Sequence, residues 1–218
     1  MEDKTKEILE EINRDTLELD VSDNEIEGIL NLSKYKNLIE LNCSKNKIKK
    51  LSGLKDCIES INCSQNSLKT LNKLPFNLVR LDCSHNNIKS LNELPNQIVE
   101  LNCSFNLIKL LNNLPIGLKR LNCEANQLSN LDYLPETIIY LNCSFNFIVL
   151  LDNLPKSLVD LVCTNNPIIN IDCLPKKLES VDISNNPNLD MNKKIILPNG
   201  IKKIIATTKI STNSNLQN

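Results

Sequence analysis

Seven of the nine cysteines in this 218-residue chain recur every twenty residues, at Cys43, Cys63, Cys83, Cys103, Cys123, Cys143 and Cys163, and an asparagine follows each by three. A thiol column could hold zinc, pair as disulfides or supply nucleophiles. Zinc needs ligands that converge on one point, whereas equivalent positions of a repeat project in parallel, and no CxxC pair is present. Disulfides prefer Cβ atoms about 3.8 Å apart, closer than the roughly 4.8 Å between neighbouring strands. The column therefore reads as small apolar core volume, where thiols are inert. Cys57 and Cys173 stand outside it and are expected to react first with an alkylating agent.

His85, the single histidine, has Asp82 and Ser84 beside it and Ser64 and Ser104 one repeat away, a nominal Ser/His/Asp set. Serine recurs at that offset in nearly every unit (Ser22, Ser44, Ser64, Ser84, Ser104, Ser144, Ser184), so its presence follows from the repeat. No oxyanion hole or phosphate loop accompanies it, the four glycines being scattered, so no catalytic residue, metal site or cofactor is expected. Lys49, Lys69, Lys89 and Lys109 form a basic column that could track phosphates, joined by a basic run from Lys193 to Lys203. The column stops at Ser129, Val149 and Ile169 and the formal net charge is −1, so nucleic-acid or polyanion binding is the alternative reading.

The elements that must position these residues are periodic. LNCSKN at Leu41, INCSQN at Ile61, LDCSHN at Leu81, LNCSFN at Leu101, LNCEAN at Leu121, LNCSFN at Leu141 and LVCTNN at Leu161 are one unit, and LDVSDN at Leu19 and VDISNN at Val181 are the same unit without the thiol. Val99, Leu101 and Cys103 alternate with Glu100, Asn102 and Ser104, the period of a short half-buried strand. Pro75, Pro95, Pro115, Pro135, Pro155 and Pro175 fall where a helix would otherwise return the chain, so the return limb is expected to be extended or polyproline-like. A unit this thin cannot bury its apolar face alone and must stack on its neighbours. Asn24, Asn46, Asn66, Asn86, Asn106, Asn126, Asn146, Asn166 and Asn186 stand where the chain leaves the strand, placed to satisfy backbone groups that lose their ladder partners.

The pattern LxxLxCxxNxLxxLxxLPxx resembles the leucine-rich repeat family, specifically its short 20-residue members among bacterial effectors and giant-virus repeat proteins, and the resemblance covers about residues 17 to 206. It implies a right-handed, β-rich α/β solenoid with parallel strands on the concave face, and a protein–protein interaction scaffold with no enzymatic activity. Some short-repeat effectors carry an appended ubiquitin-ligase domain, which is not expected here because the repeats fill the chain.

An amphipathic helix with Ile8, Leu9 and Ile12 on one side is expected over residues 3–14, making 1–16 an N-terminal cap, 17–206 the repeat domain and 207–218 a flexible tail. No apolar stretch is long enough to span a membrane and the start is too charged for a signal peptide, so a cytoplasmic protein is expected, in the host if viral or effector. The candidate partner-binding residues are those that break the repeat's own monotony. Phe105, Leu107, Phe145 and Phe147 replace Lys, Gln, Ser, Asn and Pro of other units, and Ala125 between them leaves a gap. Arg80, His85, Arg120 and Tyr140 lie nearby, the composition of an interface hot spot. A structural or self-associating role is the third reading.

Overall fold

A computed structural model describes residues 2–190 and 197–206, with side chains from Thr5 onward. Its elements are α1 (Glu2–Glu10), β1 (Glu18–Asp20), β2 (Glu27–Asn31), β3 (Glu40–Asn42), β4 (Lys47–Ser52), β5 (Ser60–Asn62), β6 (Arg80–Asp82), β7 (Glu100–Asn102), β8 (Arg120–Asn122), β9 (Tyr140–Asn142), β10 (Asp160–Val162), β11 (Ser180–Asp182) and β12 (Lys203–Ile205). Each coil contributes one three-residue strand whose central Leu, Ile or Val is buried, except in β12. Ten of these strands pair in parallel and in chain order, β1-β3-β5-β6-β7-β8-β9-β10-β11-β12, forming the concave sheet of a solenoid. The register repeats every 20 residues through the middle and widens to 22 in the first coil and 23 at the last strand. Buried Leu, Ile and Cys columns form one continuous core behind the sheet.

The asparagine column does what its placement predicts. Asn106 Nδ2 donates to the Cys103 carbonyl of its own coil (3.1 Å) and the Cys83 carbonyl of the preceding one (3.0 Å), and its Oδ1 accepts from the Ile88 N–H (2.9 Å). The same pattern recurs from Asn66 to Asn166. One amide thus joins two coils at the bend where strand pairing ends.

Two features differ from the sequence reading. The return limbs of the first two coils are not merely extended: β2 and β4 pair in parallel as a second, two-stranded sheet with a bulge between Gly28 and Ile29. Gly53, at φ +71°, lets these limbs meet, since a Cβ there would lie 2.4 Å from the Ser33 backbone nitrogen. Later coils carry Lys73, Glu93, Asn113, Tyr133, Asn153 and Cys173 at that position, and none of those limbs forms a strand. The N-terminal helix ends at Glu10 rather than residue 14. The Tyr35 hydroxyl donates to the Leu9 carbonyl (2.7 Å), the acceptor a continuing helix would need, while Asn13 Oδ1 accepts from the Asp15 N–H in a competing local turn. Ile8, Leu9 and Ile12 pack against the core. The expected 207–218 tail lies outside the described residues, as does part of the Lys193–Lys203 run. Among the described residues no helix is long and apolar enough to cross a membrane.

Candidate functional site on the concave sheet

Two strips of exposed side chains run along the sheet. The first is the strand-entry row, where Arg80, Glu100, Arg120, Tyr140 and Asp160 stand in register on consecutive strands. Arg80, Glu100, Arg120 and Tyr140, with Ser60 and Asn122, line an open trough of about 380 Å³. The Arg120 guanidinium carbon sits 4.5 Å from the Tyr140 ring centroid, a cation–π contact. Arg80 reaches across two coils to Glu40 (3.4 Å) with both side chains half exposed, so that pair is solvated and weak. Glu100, between the two arginines, forms no ion pair among the described residues.

The second strip lies where each coil leaves the strand. Asp23, Lys45, Gln65, His85, Phe105, Ala125, Phe145, Asn165 and Asn185 all adopt left-handed backbone, with φ between 51° and 56°. Each bend is tied to the next, as when the Phe105 N–H donates to the Glu124 carbonyl (2.8 Å), that of Ala125 to Ser144 (2.9 Å) and that of Phe145 to Thr164 (2.9 Å). Side chains of the strip therefore project side by side. The His85 and Phe105 rings stack at 4.2 Å with planes 7° apart. Phe105 is 44% exposed and Phe145 53%.

The eight sequence-derived residues thus fall in adjacent places rather than one pocket. Arg80, Arg120 and Tyr140 line the trough; His85, Phe105 and Phe145 form its rim strip. Leu107, half-buried, and Phe147, 61% exposed, turn away onto the outgoing limb, where Val149, Leu150 and Ile169 are also exposed. Sequence reasoning missed Glu124, whose Oε2 accepts from Asn142 Nδ2 (2.9 Å) on the concave side. Its signal was present: it occupies the position of the recurring serine.

The reactive groups have other occupations. The Ser84 hydroxyl donates to Asp82 Oδ1 (2.7 Å), while the His85 ring stacks on Phe105. All seven column cysteines are free and buried, Cys57 is half-buried and Cys173 exposed. Burial pushes the column thiols up, to about 12 at Cys43 and Cys103, and at Cys63, Cys83, Cys123, Cys143 and Cys163 neighbouring thiols add to it. In the lysine column Lys49 pairs with Glu27 (3.0 Å). Lys69, Lys89 and Lys109 are exposed without an ion pair among the described residues.

No protein-family model and no curated protein matches the chain. Solved structures do. YopM from Yersinia enterocolitica WA-314 is 32% identical with a TM-score of 0.76 over 87% of this chain, which spans 46% of that protein. A Shigella effector leucine-rich repeat domain is 27% identical (TM-score 0.62), covering 76% of this chain and 75% of its own. YopM from Yersinia pestis, a leucine-rich effector, is 27% identical (TM-score 0.72), covering 87% and 60%. The matched part of this chain therefore spans under half the length of the first of these. Twenty-residue coils, a parallel ladder of strands and these likenesses make the chain a leucine-rich repeat solenoid of the short type, similar to these effector structures.

Proposed function

We propose that this chain is a non-enzymatic scaffold that binds a protein partner on its concave side. Phe105, Tyr140 and Phe145 act as anchors, Arg80, His85 and Arg120 set specificity at the polar rim, and Leu107 and Phe147 extend the contact toward the outgoing limb. One observation carries the reading: Phe105 and Phe145 hold exposed aromatic rings at left-handed bend positions (φ 53° and 54°) where most other coils carry a polar or small residue, Asp23, Lys45, Gln65, Ala125, Asn165 or Asn185. A bulky residue there costs roughly 1 kcal/mol more than the fold requires. Every coil shares this backbone conformation, so what sets these two apart is the exposed ring itself, which is characteristic of a contact surface. The effector and repeat-protein neighbours support an interaction role of this kind. A reducing cytoplasm, that of a host for an effector, suits nine free thiols.

The test starts by identifying the partner through affinity capture and mass spectrometry, then measuring the Phe105→Ser, Phe145→Ser double variant. The melting temperature stays nearly unchanged and partner binding weakens by at least about 2 kcal/mol. A large stability loss with intact affinity would assign both rings to the core. A second reading, polyanion binding, draws on the exposed Lys69, Lys89 and Lys109, which form no ion pair among the described residues. Retention on a heparin resin that falls steeply with salt and is lost on replacing these three lysines by serine would favour it.

A further inference from the structure

The rim strip contains an interrupted stack. His85 and Phe105, one coil apart, place their rings parallel at 4.2 Å, so a ring at this position lies across the solenoid axis and faces the next coil. Phe145 occupies the same position two coils beyond Phe105, on the same backbone conformation. Ala125 stands between them and contributes only a methyl group. Since parallel strands lie about 4.8 Å apart, Phe105 and Phe145 are separated by roughly 10 Å, room for one planar group at ordinary stacking distance from each ring.

The residue preceding Ala125 brings a charge beside this gap. The position before the strip residue is Ser44, Ser64, Ser84, Ser104, Ser144 or Thr164 in the neighbouring coils, and in the coil carrying Ala125 it is Glu124. One carboxylate oxygen of Glu124 accepts from Asn142, a neutral amide, and the carboxylate has no cationic partner among the described residues. The two arginines of the strand-entry row are otherwise engaged, Arg120 on the Tyr140 ring and Arg80 with Glu40. Two exposed aromatic side chains on either side of Ala125, with the Glu124 carboxylate one residue away, call for a group that is planar and positive. Guanidinium is both: it stacks on aromatic faces and pairs with carboxylates through two N–H donors, whereas an ammonium is a compact point charge.

Building on the recognition reading above, we propose that the gap over Ala125 is a binding site for an arginine side chain of the partner, its guanidinium held between Phe105 and Phe145 and paired with Glu124. The chain has two alanines, Ala125 and Ala206, so methyl-labelled alanine gives one reporter in the site and one reference far from it. The protein is titrated with N-acetyl-arginine methylamide and with its lysine and tryptophan counterparts. The arginine probe shifts Ala125 saturably and leaves Ala206 unmoved, and the lysine probe binds at least about threefold more weakly. Glu124→Gln weakens the arginine probe by at least about threefold. Ala125→Phe fills the gap and, with binding read on the broadening of the probe's own signals because the methyl reporter is gone, abolishes arginine-probe binding while the melting curve stays cooperative.

Equal affinity for arginine and lysine, no movement of Ala125, or a tryptophan probe that binds tighter than arginine in both the wild type and Glu124→Gln would each overturn the proposal. Those failures, if the Phe105→Ser, Phe145→Ser variant still loses its partner, would remove the arginine site and leave the recognition face standing. Loss of neither partner nor probe binding in that variant would remove both.

Discussion

A single asparagine of the ladder serves several backbone groups at once, and its neighbours decide how many. Asn106 satisfies the Ile88 N–H and the Cys83 and Cys103 carbonyls, all in the interior. Replacing it with Ala strands at least two of them, a loss of about 2–4 kcal/mol at roughly 1–3 kcal/mol per buried unmet group. Asn186 keeps its donor bonds to Cys163 and Ile183, but its Oδ1 is buried without a partner. The equivalent donor, the Ile168 N–H, follows Pro167 and makes no hydrogen bond to Asn186 among the described residues, and the next N–H, of Ile169, donates to the Val149 carbonyl (3.2 Å). Asn186→Ala therefore costs distinctly less than Asn106→Ala in urea denaturation. Equal losses would mean that the carbonyl bonds alone carry the ladder. The column itself is legible in the sequence because its offset never varies. So is its reach to a neighbouring coil, since stacked amides can serve the turns on either side, whereas the His85–Phe105 stack is not, because it depends on how two unlike side chains lie on one another.

At the scale of elements, whatever repeats is readable and whatever departs from the repeat is not. The three-residue strands follow from alternation, and the ten-stranded order follows from a fixed register. The pairing of β2 with β4 depends on one close approach at Gly53, and the helix terminus on a hydroxyl 26 residues away, so neither leaves a periodic trace. Glu124 left a trace, a break in the serine column, whose meaning needs the position of Asn142. The end of the core beneath α1 carries the element-scale prediction. Ile8, Leu9 and Ile12 are partly buried against the core, and Tyr35, itself buried, is tied to the Leu9 carbonyl. We propose that residues 1–16 act as a cap: their deletion exposes the first coil and lowers stability by about 2–4 kcal/mol, near 1 kcal/mol per lost apolar side chain, with reduced solubility. Superimposable melting curves for the deleted and full-length proteins would refute it.

The whole molecule is a stack in which seven thiols lie in one buried line, and that line couples its stability to alkali. The folded state holds these thiols well above their ordinary value of 9.0, at about 12 for Cys43 and Cys103. Below pH 9 both folded and unfolded chains keep the protons, and the stability is intact. As pH rises from about 9 toward 12 the unfolded chain releases them and the folded chain does not, so unfolding gains about 1.4 kcal/mol per thiol per pH unit. All seven shifts run in the same direction, so their effects add and stability falls as pH rises above 9, with cooperative unfolding expected in alkali. Lysine and tyrosine also titrate in this range, and the control is a variant with Cys83, Cys103 and Cys123 changed to Ala. Its cavities lower stability at neutral pH, yet its slope of unfolding free energy against pH near 10 is shallower by about 4 kcal/mol per unit, three protons fewer. Parallel slopes for the two proteins would show that the thiol line takes no part in alkaline unfolding.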